Sequence, residues 1–196
     1  MAIESDLFLD ELSARIFGLL PSLPEEVETA KKILAAAPTK GPALDVALYF
    51  ANLSAKNAEG EPYNSEWKSR ANPLIVSFFR ATNFGTPEGD TTKWCAAFMN
   101  WCLQRVGQPS TRSASSGSFR CFGNEVSAPS RGDIAVFKNL GEDDRCAGTG
   151  HVAFWMSEKP QRVQVLGGNQ GGKATISWMS TTPEGGSPWL LTVRRI

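Results

Sequence analysis

The sequence is poor in the residue types that mark metal, nucleic-acid and membrane proteins. It has one histidine and four cysteines, and no two cysteines are spaced as C-x-x-C, so we expect no metal site and no cofactor. Twenty basic residues balance twenty acidic ones, which argues against binding to nucleic acid or an anionic surface. The apolar runs are far shorter than the roughly 20 residues that cross a bilayer, so we expect no membrane span.

The four cysteines are too few and too irregularly spaced for a disulfide scaffold. Cys95 and Cys102 would lie about two helical turns apart, roughly 10 Å along the axis, which is too far for a disulfide. Cys121 and Cys146 both lie in loop-like sequence, where a bridge would need an oxidising compartment. The sequence therefore leaves the state of this second pair open.

The start of the chain does not have the pattern of a secretory signal. Glu4, Asp6 and Asp10 stand where such a signal needs basic residues followed by an apolar run. We therefore expect no signal peptide, and we expect synthesis in the cytoplasm.

Apolar residues recur at helical spacing through the first third of the chain. Proline and glycine separate the predicted helices, and a polar stretch with Gly60 and Pro62 follows them. We place a boundary near Glu61, with an N-terminal helical extension at 1–60 and the main domain at 61–196. The helices predicted in the extension are Ser5–Leu20, Glu25–Ala37 and Ala43–Ala55.

The period of the pattern changes within the main domain. Helices are predicted over Pro73–Thr82 and Thr91–Val106. Short β-branched and aromatic segments follow, each bounded by glycine, proline or asparagine. Helices followed by strands indicate an α+β fold with an antiparallel sheet. The predicted strands are Asp133–Lys138, His151–Met156, Arg162–Leu166, Ala174–Trp178 and Leu190–Arg194.

Cys95 falls in the first turn of a predicted helix. The free N–H groups and the positive dipole end at that position favour an anion, so a thiol there should ionise more easily. A cysteine on a helix is also commonly a small buried apolar residue. Position alone does not decide between these two interpretations.

His151 is the one histidine of the chain, and it opens a predicted strand directly after Gly148-Thr149-Gly150. Any base with an ordinary pKa near neutrality must be this residue. One strand later, Asn169 could hold the imidazole in the correct tautomer. Asn169 lies among glycines, however, so it could equally be a turn residue.

Four segments in this chain order resemble the CHAP and NlpC branches of the papain-like superfamily, which are bacterial and phage cell-wall hydrolases. Residues 94–101 are similar to the W-C-A-x-F-x-N-W nucleophile helix, and residues 131–137 to a G-D-I-x-V-F turn and strand. Residues 150–154 resemble the G-H-V-x-F histidine strand, and 166–170 complete the set. Residues 1–60 carry no part of the resemblance.

The resemblance implies a papain-like fold, with the nucleophile helix packed on an antiparallel sheet. It also implies hydrolysis of an amide in cell-wall peptide, with Cys95 as nucleophile, His151 as base and Asn169 orienting the ring. Trp94 and Gln170 are expected to contact the substrate. Two alternatives stay open, namely a non-catalytic module that binds peptide or glycan, and a transglutaminase-like acyl transferase.

Without a signal peptide, such a hydrolase would reach the wall by one of two routes. A phage-type lysin would pass through a holin, whereas an antibacterial effector would be injected into the periplasm of a rival by type VI secretion. We favour the effector, which would also imply a cognate immunity protein that plugs the cleft.

Overall fold

The computed structural model of the chain describes residues 20–68, 70–85, 87, 89–143 and 146–196. The helix predicted over Ser5–Leu20 lies outside these ranges except for its last residue. Among the helices that are described, none has both the length and the apolar character needed to cross a lipid bilayer.

The described residues form helices first and strands afterwards. The α-helices are α1 (Pro24–Ala36), α2 (Ala43–Ala51), α3 (Pro73–Phe78) and α4 (Cys95–Arg105). Short 3₁₀ helices cover Phe79–Ala81, Ser116–Cys121 and Pro183–Gly185. The strands are β1 (Asn124–Glu125), β2 (Ile134–Lys138), β3 (Gly150–Lys159), β4 (Arg162–Gly167), β5 (Thr175–Ser180) and β6 (Trp189–Arg195).

Helix α2 ends four residues before the sequence pattern predicts. Its last carbonyl, Ala51 O, accepts a hydrogen bond from the Asn64 side chain, and Ala55 O accepts one from the Tyr63 backbone. The Asn64 side chain thus takes the Ala51 carbonyl, which a helix continuing to Ala55 would have used internally. Tertiary pairing, which local periodicity does not reveal, ends this helix.

The strands form one sheet in the order β1-β6-β2-β3-β4-β5, with antiparallel neighbours. Ser180 of β5 also pairs with Trp189 of β6 in a parallel bridge, so the sheet curls back on itself. All five predicted strands are present with small shifts at their ends, and β1 is the additional one. The predicted α+β class with an antiparallel sheet is confirmed.

Helix α4 packs against one face of this sheet, through a core that the N-terminal helices share. Phe50 of α2 makes edge contacts with the rings of Phe78, Phe98 and Trp101. The Arg105 guanidinium at the end of α4 donates to backbone carbonyls at the end of α1. The boundary predicted near Glu61 therefore separates two stretches of sequence that contribute to a single core.

The loop between β2 and β3 is held in place by a disulfide and by hydrogen bonds. Cys121 and Cys146 form a disulfide, so the second cysteine pair is bridged in this structure. The buried Arg120 side chain donates to the carbonyls of Ala147 and Thr149 in the same loop. These contacts fix the chain immediately before His151.

Candidate active site

A cleft of about 710 Å³ opens where α4 meets the sheet. Side chains predicted for catalysis lie in its wall together with two charged residues. The lining includes Glu66, Lys93, Cys95, His151, Asn169 and Gln170. The fold therefore brings Cys95 and His151, 56 positions apart in the chain, to one cavity.

Cys95 is the first residue of α4 and is 7% exposed. Burial raises the pKa of its thiol, and backbone N–H groups of Val152 and of the helix N-terminus partly oppose that rise. The helix terminus acts in the direction that we predicted, but burial outweighs it, so the resting group is a thiol. Because Val152 belongs to β3, the sulfur lies against the strand that carries the histidine.

His151 is the second residue of β3 and is also 7% exposed. Burial lowers the pKa of its imidazole to about 4, and the hydrogen bond with Gln170 partly opposes this shift. Above about pH 4 the imidazole is therefore neutral, and a neutral imidazole can act as a proton acceptor. Burial of both groups favours an uncharged thiol and imidazole before substrate binds.

The hydrogen bonds of Gln170 determine which imidazole nitrogen carries the proton. Gln170 donates its amide N–H to the Thr175 carbonyl, which can only accept. Its Oε1 therefore faces His151, lying 3.2 Å from Nε2 of the ring. Because Oε1 also only accepts, Nε2 must hold a hydrogen, which leaves Nδ1 unprotonated in the neutral ring.

Asn169 lines the same cleft but makes a different contribution. Its backbone has φ 58°, the left-handed conformation that asparagine tolerates better than most residues. Asn169 thus forms the turn after β4, and the following residue, Gln170, is the one whose side chain reaches the imidazole. The sequence placed the polar partner of His151 in the correct loop, one position away.

Trp94, which we expected to contact substrate, is fully buried. Its ring stacks near Phe78 and meets Phe98 edge on, and its indole N–H donates to Glu66 Oε1 at 3.0 Å. The expectation is corrected, because the residue before the helix points into the core while Cys95 faces the cleft. Trp94 supports the start of α4 and has no surface available to a ligand.

Two glycines at the end of β4 allow its close approach to the site. A Cβ at Gly167 would lie 2.8 Å from Ala153 Cβ and 3.2 Å from His151 Nε2. A Cβ at Gly168 would lie 2.4 Å from the Trp94 ring. Their side-chain-free surfaces let β4 lie directly against both the histidine strand and the start of α4.

The contacts of two acidic residues, Asp90 and Glu66, do not follow from any sequence motif. Asp90 is fully buried, and its Oδ2 accepts hydrogen bonds from the backbone N–H groups of Trp67 and Asn72. Glu66 lines the cleft from a loop, and nothing in the polar sequence of that loop distinguishes it from an ordinary turn. Among the described residues, no group of three His, Cys, Asp or Glu side chains is placed to hold a metal ion.

The single histidine makes the Gln170 contact directly measurable by NMR. In the wild-type protein we expect the imidazole signals to titrate with a midpoint near pH 4, well below the ordinary value of 6.5. Gln170→Leu removes the contact that raises the pKa, so its midpoint should be lower still. Asn169→Gly is the matched control and should keep the wild-type midpoint. An equal shift in both variants would contradict the assignment of Gln170.

Comparison with protein families agrees with the residues assembled in the cleft. Residues 87–169 match the model of the CHAP domain family, a range that contains Cys95 and His151 and ends at Asn169. No curated protein and no solved structure matches the chain. CHAP domains are typically amidase or peptidase domains that act on peptidoglycan. Over residues 87–169 the chain is therefore similar to CHAP domains, and its mixed α and β fold is compatible with the papain-like CHAP fold.

Proposed function

We propose that this protein hydrolyses an amide bond in peptidoglycan peptide, with Cys95 as nucleophile and His151 as base. The observation that carries the proposal is their shared cleft, in which Gln170 holds the imidazole in the tautomer with Nδ1 free. The CHAP match supports peptidoglycan as the substrate. Nucleophilic catalysis needs this arrangement of a thiol, a base and a group that orients the base.

The reaction in this proposal is acyl transfer through a thioester. As Cys95 Sγ bonds to the amide carbon, its proton passes to His151, which then protonates the departing amine as the C–N bond breaks. Water next attacks the thioester, giving its proton to the imidazole, and the thiol is restored on release of the carboxylic acid. Because the thiol of Cys95 and the imidazole of His151 are both uncharged at rest, the thiol proton passes to the imidazole while the sulfur attacks the carbonyl carbon.

The backbone N–H of Cys95 is the first candidate donor to the carbonyl oxygen as negative charge develops. It lies at the N-terminus of α4, where backbone N–H groups have no partner within the helix. A donor in this position stabilises the tetrahedral intermediate more than the flat carbonyl of the substrate. Asn169 and Lys93 also line the cleft, so a bound peptide would lie within their reach.

Incubation of purified peptidoglycan with the protein, followed by mass spectrometry of the soluble fragments, tests the proposal. New carboxyl and amine ends at one amide position are the expected result. Intact sacculi that retain the protein would instead identify a binding module. Products in which an added amine is joined to the peptide would identify the transglutaminase-like alternative. The masses also distinguish the sugar–peptide amide from amides within the stem or the crossbridge.

For the biological setting, we propose action in the periplasm or wall of a target bacterium. The Cys121–Cys146 disulfide supports a site of action outside the reducing cytosol. Delivery by type VI secretion is the route we favour over phage lysis, with an immunity protein that occupies the cleft in the producing cell.

Expression with and without an added export signal tests this setting. Growth arrest should follow only when the protein is exported, because its substrate lies outside the cytoplasm. Cys95→Ala with the same export signal is the matched control and should be harmless. Equal growth arrest with and without export would contradict a wall target.

A further inference from the structure

Glu66 lies at the junction between the catalytic cleft and a second cavity. The cleft that contains Cys95 and His151 includes Glu66 and Gly171 in its wall. The same two residues line the neighbouring cavity of about 600 Å³. A peptide that passes from the nucleophile into the second cavity must therefore pass the Glu66 carboxylate.

The Glu66 carboxylate is fixed in place at one oxygen and open at the other. Oε1 accepts the Trp94 indole N–H at 3.0 Å, and the Glu66 backbone N–H donates to Gly172 O at 2.8 Å. A Cβ at Gly172 would lie 2.8 Å from Oε2, so the glycine leaves the space that Oε2 occupies. Within the described part of the chain, Oε2 has neither a hydrogen-bond donor nor a cation as partner.

The other acidic groups of the second cavity are already engaged. Glu61 Oε1 accepts the Lys68 backbone N–H at 2.8 Å, and Glu59 Oε1 pairs with Arg70 at 2.7 Å. The basic side chains that line the two cavities, Lys93, Lys68 and Lys173, are exposed to solvent. Glu66 is thus a half-buried carboxylate with one unused oxygen, held by the residue that precedes the nucleophile.

The hydrogen bonds that Glu66 makes within the protein do not require its negative charge. A glutamine at position 66 could accept the Trp94 N–H through its own Oε1 and keep the backbone bond to Gly172. A half-buried charge carries a desolvation cost that a ligand cation would offset. One open carboxylate oxygen suits a primary ammonium group, which donates strong, charge-assisted hydrogen bonds.

We propose that Glu66 forms a subsite for a primary ammonium group of the peptide substrate, beside the amide that is cut. This inference rests on the proposed function for its substrate, a cell-wall peptide. It makes Glu66 a specificity-determining residue, because a peptide with this amine blocked would lose the charged contact and keep every other one.

The test measures binding in the Cys95→Ala background, so that it does not depend on catalysis. The probes are stem tetrapeptide released from peptidoglycan, with its primary amines either free or acetylated, titrated by calorimetry. We expect the free-amine peptide to bind about 10-fold to 100-fold more tightly than the acetylated one, the range for a hydrogen bond between charged groups. Glu66→Gln should abolish that preference by weakening only the free-amine complex.

Glu61→Gln is the matched control, since its carboxylate lies in the second cavity but is already hydrogen bonded, and it should keep the preference. Equal affinity of the parent for the two peptides, or an equal loss for both in Glu66→Gln, would overturn the proposal and leave Glu66 as a support for Trp94. Failure of the wild-type protein to cut peptidoglycan, with the amine preference intact, would count against the proposed hydrolysis alone.

Discussion

Cys95→Ala is expected to lower the rate of peptidoglycan hydrolysis by at least about a thousand-fold, with the fold intact. The substitution removes the atom that would bond to the substrate carbonyl. In the proposed mechanism His151 only transfers protons, and Cys95 is the one cysteine among the described residues that line the cleft. Release of soluble fragments from purified sacculi measures the rate, and circular dichroism checks the fold.

Cys102→Ala is the matched control for this experiment. Cys102 is the other free cysteine of the described chain, lies two turns along the same helix and is fully buried. Burial holds the pKa of its thiol well above the ordinary value, and Cys102 is not among the residues that line the cleft. Its loss should reduce stability slightly and leave hydrolysis unchanged. Wild-type hydrolysis by the Cys95→Ala variant would refute the assignment of the nucleophile.

Gly168→Ala is expected to lower the free energy of unfolding by about 3 kcal/mol, the upper part of the range for overpacking a core. The new methyl group would lie 2.4 Å from Trp94 Cζ3 and 2.7 Å from Phe98 Cβ. Both neighbours are fully buried at the start of α4, so neither can move without disturbing that helix. Urea denaturation measures the change, and hydrolysis should fall with it.

Gly171→Ala in the same loop separates crowding from backbone strain. No atom lies within 4 Å of a Cβ built at Gly171, although its φ of 63° disfavours alanine. That strain should cost about 1 kcal/mol. If Gly168→Ala destabilises the protein no more than this control, the close packing of β4 on Trp94 is not a constraint on the fold.

Cys95 and His151 could be selected from the sequence as the candidate nucleophile and base, and the structure places both in the wall of one cleft. Cys95 falls in the first turn of the helix predicted from Thr91, which in the structure begins at Cys95 itself, and His151 is the one residue with an ordinary pKa near neutrality. The strands were predictable because the sheet has buried positions that demand β-branched and aromatic residues. Their lengths were less certain, as β3 shows by continuing through exposed residues to Lys159.

The partner of the imidazole could not be fixed from sequence, because adjacent residues in a turn point in different directions. Asn169 and Gln170 are both polar amides, and in the turn formed by the left-handed backbone at Asn169 it is the Gln170 side chain that reaches His151. Trp94 illustrates the same limit on the other side of the cleft. It is the residue directly before Cys95 in the chain, yet its ring is buried in the core whereas Cys95 lines the cleft.

The free energy of unfolding of this protein depends on whether the disulfide between Cys121 and Cys146 is formed, and therefore on the redox conditions around it. Both cysteines are exposed, so small reductants can reach them. A link across a segment of this length contributes about 3 kcal/mol, which is a large share of the net stability of an ordinary domain. In a reducing compartment the chain before His151 would be held by Arg120 and its neighbours, whereas an oxidising compartment would add the covalent link.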